Sequence, residues 1–361
     1  MFETILDITG WDITPKAASV ALALMIGLAF GLFAERSKFC LRSALIGEKR
    51  RASAGVWLIA LATAIVGTQL AVFAELITFE EHRFLNANLP ILAILAGGVM
   101  FGAGMVLTRG CASRLTVLAG TGNLRALFVI VVFAIVAHAT MKGVLTPLRT
   151  MLGAVTVDLG DMTGFASLPG GAVFWSMALA IAAIAVAFRS GARVQSLVFA
   201  AALGLLVPVG WVGTGFLLFD EFDPIALESL SFTAPMAESL FWSIASTSIP
   251  AGFGSGLIGG IVAGALIASL VFGTFKWQSF DSPAQTGRYM AGAALMGVGG
   301  VLAGGCSVGA GLAGVPTLSF AALIALFAIA AGALVTNAWL TRASSFATDA
   351  QQATPTILPA E

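Results

Sequence analysis

Charge is scarce in this sequence. Asp, Glu, Lys and Arg make up 10% of its 361 residues, against about 25% in a typical soluble domain. So little charge cannot cover a water-facing surface, which excludes an ordinary soluble globular chain. The 18 basic and 18 acidic residues balance, so there is no electrostatic case for nucleic acid. Two histidines, His82 and His138, are too few and too far apart for a metal cluster. Three cysteines make no disulfide framework, and none has zinc-like spacing. No nucleotide-binding loop is present, so neither a metal, a cofactor nor ATP is expected.

What is abundant is apolar. Hydrophobic residues make up 58% of the chain, and a lipid bilayer is the solvent that fits them. Helices of about 20 apolar residues cross its hydrocarbon core. Nine such runs are present, at 17–34, 55–77, 91–109, 124–142, 171–189, 194–210, 251–272, 288–304 and 318–341. None alternates apolar with polar residues, so strands are excluded. The fold class expected is an all-α integral membrane protein. No basic run precedes the first apolar stretch, so that span is expected to be retained. Trp57, Trp175 and Trp277 fall near span ends, where interfacial anchors sit.

Basic residues orient the array. With the first loop in the cytoplasm, only Lys16, Arg83, Lys142 and Arg149 lie outside, leaving 14 of the 18 Lys and Arg inside. That asymmetry follows the positive-inside rule. It expects the N-terminus outside the inner membrane and the C-terminus in the cytoplasm. The loop carrying Asp220, Glu221, Asp223 and Glu228 then lies outside, read as solvated surface.

Two short segments are near-copies. AGGVMFGAGMVLTRGC ends at Cys111 and AGAALMGVGGVLAGGC ends at Cys306. Aligned on the cysteines without a gap, they share Ala96/Ala291, Gly97/Gly292, Gly102/Gly297, Gly104/Gly299, Val106/Val301, Leu107/Leu302 and Gly110/Gly305. The copies lie in the third and eighth spans. Five spans of separation makes them antiparallel, which predicts an inverted-topology repeat. Its parts are a first repeat at 1–170, a linker helix at 171–190, a second repeat at 191–345 and a disordered cytoplasmic tail at 346–361. Such repeats commonly carry substrate near the midplane on broken helices.

Gly110 and Gly305 each precede a cysteine, and a glycine there permits the left-handed turn that stops a helix. The apolar pieces at 112–119 and 307–314 are too short to span and read as short or re-entrant helices. Their first amides, with Ser113 and Ser307, would face an anion beside the sulfur. The expectation is a paired thiol site where the two tips meet. Cys40, in FAERSKFCLRSAL, is placed near the cytoplasmic side of the path, with Arg109 and Arg114 as charge at the cytoplasmic mouth. A neutral thiol is a weak donor and a polarizable surface, suited to a soft sulfur atom. The plainer alternatives are that the glycines only pack helices and that the arginines only obey the positive-inside rule.

At these residues the chain resembles the YeeE/YedE family of sulfur-compound transporters. The matching stretches are FGLFAERSKFCLRSAL, GAGMVLTRGCASRLTVLAGTGNLRAL and GVGGVLAGGCSVGAGLAGVPTLSF, with ALGLLVPVGWVGTG and SLSFTAPMAESLFW between them. The resemblance implies an hourglass-like helical protein of two pseudo-symmetric halves. It implies that thiosulfate passes inward by transient S–H···S contacts with a line of cysteines, here Cys306, Cys111 and Cys40. A cytoplasmic sulfurtransferase is the implied partner. Members of this broad family carrying other sulfur or selenium species remain an alternative. So does a membrane thiol enzyme or sulfur relay with persulfide intermediates, though no general base is evident beside any cysteine.

Overall fold

A computed structural model describes residues 13–80 and 82–353 of the protein, with side chains up to residue 343. Among the described residues, nine helices are long and apolar enough to cross a bilayer. That matches the nine apolar runs of the sequence, and the protein is an all-α membrane protein. The only strand pairing among the described residues is a two-residue ribbon, Asn88–Leu89 against Val157–Asp158.

The first helix, α1 (Pro15–Ser37), starts where Thr14 accepts the Ala17 amide on its hydroxyl, with proline in the first turn. A short helix α2 (Leu41–Ile46) and the span α3 (Arg50–Phe73) follow. Next come α4 (Ile91–Leu107), the short α5 (Ala112–Gly120), α6 (Leu124–Lys142) and the short α7 (Thr146–Gly153). The span α8 (Gly171–Phe188) leads into α9 (Val194–Val212), the shorter α10 (Thr233–Ile244) and α11 (Phe253–Val271). Last are α12 (Pro283–Leu302), a π-helical segment Ser307–Gly314, and α13 (Phe320–Ala353).

Lipid supplies no hydrophobic drive between helices, so close packing must hold them together, and small residues permit it. Helices α4 and α12 show how. Gly97 lies against Gly299 and Ala303, while Gly104 lies against Gly292 and Met296. Rising numbers on one helix meet falling numbers on the other, so the two glycine-rich copies run antiparallel. A methyl group on Gly299 would come within 2.5 Å of the Gly97 carbonyl oxygen.

Four other principal contacts cross between distant parts of the chain. Helix α1 packs on α11 as α9 packs on α3, and α4 packs on α13 as α12 packs on α6. Each of these contacts joins the first half of the chain to the second, so the halves interlock in one core. Helix α8, expected as the linker, packs on α3 and exposes Val173, Phe174, Met177 and Ile181. That face suits lipid.

Two expectations change. Trp57 is 5% exposed and rests against Gly311 of the π-helical segment, so it fills the core instead of anchoring at an interface. The last helix runs on to Ala353, into the stretch expected as a disordered tail. The alanines of FATDAQQA favour helix and explain the continuation. The rest of that tail, 354–361, lies outside the described residues.

Candidate functional site

All three cysteines sit on one backbone device. Helix α1 ends at Lys38 (φ 56), α4 at Arg109 (φ 59) and α12 at Gly304 (φ 72), each in the left-handed region. Two residues later come Cys40, Cys111 and Cys306, each extended and each capping a new short helical segment. At α4 the turn is a Schellman closure, with the Gly110 amide on the Met105 carbonyl and the Arg109 amide on that of Val106. Thr108 tightens it by donating to the Gly104 and Gly110 carbonyls, at 2.9 and 3.0 Å.

The left-handed residue therefore falls one place before Gly110 and Gly305, where the sequence reading put it. Those glycines serve close approach instead. A Cβ on Gly305 would lie 2.8 Å from the Ala310 amide nitrogen, and one on Gly110 would lie 3.1 Å from the Leu115 side chain.

The sulfurs are buried, and their partners differ. Cys40 Sγ lies 3.8 Å from Cys111 Sγ, and Cys111 Sγ lies 3.3 Å from the Ser113 hydroxyl. Among the described residues no hydrogen bond joins Cys306 to another thiol. Its sulfur accepts the Gly309 amide at 3.3 Å, which leaves the S–H free to donate. The structure thus pairs Cys111 with Cys40, not with Cys306 as the repeat led us to expect. The reason lies in α4 and α12. Thr108 touches Gly292 and Ala303 touches Gly97, so the two helix ends are offset by about 16 Å along the shared axis. Ser113 is bonded to its cysteine, whereas the Ser307 hydroxyl is buried with no partner among the described residues.

On the Cys40 side, Glu35 is a buried carboxylate. It accepts Lys38 Nζ at 2.6 Å and Arg114 Nη1 at 3.3 Å. Arg114, read as charge at a mouth, is therefore held in an ion pair that ties α5 to α1. Arg109 is exposed and lines a small side cavity with Asn123 and Arg125.

On the Cys306 side lies a cavity of about 410 Å³. Its floor is Gly300, Gly304 and Gly305, and its basic groups are Arg83, Lys142 and Arg149. Among the described residues no carboxylate lines it. Lys142 and Lys16 share the adjoining cavity, so the four cations assigned to the outer face gather around two neighbouring hollows. The Arg83 guanidinium is within electrostatic reach of both Cys306 and Glu228. Glu228 was read as solvated surface, but it lines one hollow with Arg83 and a second with Lys16 and Lys142. Burial, then the nearby Glu238, push its carboxyl up to about 7 against the pull of Arg83. Burial, then Arg83, lower His82 to about 4, so its ring is neutral at ordinary pH.

Sequence reasoning missed Glu35, Arg83 and Glu228 as site residues, and also Ser231 and Thr233, which line the cavity on the Cys306 side. The positive-inside count did single out Arg83, Lys142 and Arg149 as the exceptions, and that is the signal that could have found them. Among the described residues no group of three or more His, Cys, Asp and Glu side chains could hold a metal ion. The arrangement is a hollow with three basic groups beside the Gly304–Gly305 turn that precedes the buried Cys306, with the Cys40–Cys111 thiol pair at the far side of the same helix couple.

Comparison with known proteins finds relatives among sulfur transporters. A family model described as sulphur transport matches residues 36–335. A protein of Spirochaeta thermophila named thiosulfate transporter TsuA is 27% identical over 322 residues, 84% of this chain and 93% of the relative. An Escherichia coli protein of the same name is 27% identical over 345 residues, 88% of this chain and 93% of the relative.

Proposed function

The chain belongs to the sulphur transport family, a transporter and not an enzyme, and from that premise we propose that it carries thiosulfate inward across the bacterial inner membrane. The observation that carries the reading is the shared device at Cys40, Cys111 and Cys306, three buried thiols on three broken helices. Both relatives are named for thiosulfate, which supports this ion over other sulfur or selenium anions.

The anion enters the hollow rimmed by Arg83, Lys142 and Arg149 and sheds water against those cations. Its terminal sulfur, large and polarizable, meets the free S–H of Cys306, and Ser307 lies beside it. Passage toward Cys111 and Cys40 is a series of weak S–H···S contacts, strong enough to replace lost water and weak enough to let go. The thiols must stay neutral, because a thiolate would repel the ion. Unsatisfied backbone at membrane depth is tolerated only where it faces protein or a wet path, and the three breaks fit such a path. Beyond the Cys40–Cys111 pair, Arg109 and the ion-paired Arg114 lie at the cytoplasmic mouth.

The inverted repeat belongs to the same reading. The antiparallel α4–α12 couple and the four contacts between distant spans support it, and so does the matching backbone at Arg109 and Gly304. Two faces narrowing to the thiols would give an hourglass form, with the N-terminus outside. A cytoplasmic sulfurtransferase that consumes thiosulfate would maintain the inward gradient.

The test is uptake of radiolabelled thiosulfate by cells that lack other sulfur importers, with sulfate and selenite as competitors. Thiosulfate should accumulate and unlabelled thiosulfate should compete best. Cells that accumulate no label above the empty-vector level would end the proposal.

A further inference from the structure

Thr233 opens α10, and its hydroxyl is buried without a partner among the described residues, the side chain being 5% exposed. A buried hydroxyl left unpaired is unfavourable, so such a group asks for a ligand. Its surroundings say which. Thr233 lines the hollow with Arg83, Lys142 and Arg149. The hydroxyl packs over Gly300, whose missing Cβ would lie 2.8 Å from Thr233 Oγ1. Ser231 Oγ would lie 2.8 Å from a Cβ on Gly309, the residue whose amide binds Cys306 Sγ. The run Ser231–Phe232–Thr233 therefore follows the Cys306 turn. On the turn itself, Ser307 is 1% exposed and its hydroxyl is also unpartnered.

We propose that Thr233, with Ser307, forms an oxyanion subsite that binds the oxygens of the permeant anion and turns its terminal sulfur onto Cys306. This rests on the reading that the permeant ion is thiosulfate. The two ends of that ion differ in hardness, and the site offers a matched pair of donors. Hydroxyls, compact and hard, suit the sulfonate oxygens, and the thiol suits the sulfur. Sulfate could fill the hydroxyls but would set an oxygen against the thiol. The subsite therefore ranks anions by their fourth atom.

The experiment uses the full-length protein in proteoliposomes, with labelled thiosulfate uptake and thermal unfolding measured on the same preparations. Thr233→Val keeps the shape and removes the hydroxyl. It should raise the KM for thiosulfate about tenfold, the loss expected for one hydrogen bond to a charged group. The unfolding midpoint without thiosulfate should stay level or rise, because the hydroxyl has no protein partner to lose. The upward shift of the midpoint on adding thiosulfate should shrink. Thr233→Ser should restore the KM, and Ser307→Ala should raise it in the same way. An unchanged KM in Thr233→Val beside active wild type overturns the subsite and leaves the transport reading standing. A lowered midpoint that tracks the KM change, with no rescue by serine, makes Thr233 structural and also overturns it. Wild-type vesicles that take up no thiosulfate remove both proposals.

Discussion

Cys40 and Cys111 hold their sulfurs 3.8 Å apart, although 71 residues separate them in the chain. Each arrives on its own helix break, and the two breaks bring them to one level. A permeant sulfur anion there would meet both thiols at once, so the pair should act as one station. Cys111→Ser and Cys40→Ser should each slow thiosulfate uptake, Cys111→Ser by about tenfold or more and Cys40→Ser by less. Residues that share a partner are not additive, so the double variant should be no slower than Cys111→Ser alone. Cys306→Ser should multiply with either. Initial uptake rates in an importer-free strain measure this, and simple multiplication of the Cys40 and Cys111 losses would refute the shared station.

Glu35 anchors the floor beneath that pair. It is 5% exposed and accepts both Lys38 and Arg114, while the Arg114 side chain is 16% exposed. Breaking a buried pair from one side strands the other charge. Because Arg114 keeps some access to water, Glu35→Ala should cost about 2 kcal/mol, and the exposed Lys38 should contribute little of it. Unfolding in detergent reads the loss. Replacing Glu35 and Arg114 together should cost less than the two single changes summed. A fully additive pair would mean the ion pair does not hold α5 to α1.

The array of spans was legible because each helix declares itself within about 20 residues of apolar sequence. The duplicated glycine–cysteine segment was legible because both copies kept their spacing. The partner of Cys111 was not, since it depends on where α1 ends relative to α4, and no local pattern encodes that. Trp57 looked like an interfacial anchor by its place near a span end, but its ring faces Gly311, 254 residues away in sequence. Glu228 lies outside the spans and carries no motif, and Thr233, though within the stretch SLSFTAPMAESLFW, has no local pattern that marks it as a ligand. Their role depends on the hollow that Arg83 brings from another loop. The left-handed residue before Cys111 was misplaced because glycine draws attention, whereas the chain sets Arg109 there.

That arginine is strained. Its φ of 59 is unfavourable for a residue with a Cβ, and Gly304 occupies the matching place before Cys306 at φ 72. Glycine takes this conformation without the penalty. Arg109→Gly should therefore stabilise the protein by about 0.5–1 kcal/mol after the extra freedom of glycine in the unfolded chain is subtracted. Arg109→Lys should leave stability level, because lysine bears the same strain. Unfolding midpoints of the three proteins in one detergent give the comparison. A glycine variant less stable than wild type would mean that contacts of the guanidinium outweigh the backbone.

The last prediction concerns pH at the outer hollow. Glu228 titrates at about 7, raised from an ordinary 4.5 first by burial and then by Glu238. Among the described residues, the groups around it are Glu80, His82 and Arg83 on one side, with Lys16, Lys142, Asp223 and Glu238 lining the hollow on the other. Above pH 7 Glu228 is charged and offsets the field of Arg83. As pH falls through 7 it becomes neutral, the hollow becomes more positive, and the KM for thiosulfate should drop severalfold. Glu228→Gln should hold the low KM across the range and flatten the profile. Stability should move in the same direction. The folded protein binds this proton more tightly than the unfolded chain, so the contribution rises as pH falls from about 7 toward 4.5 and is level below. Uptake assays between pH 5.5 and about 8.5, with His82 neutral throughout, isolate the effect. A KM that rises on acidification, or a Gln variant that keeps the wild-type slope, would assign the field at Arg83 to another group.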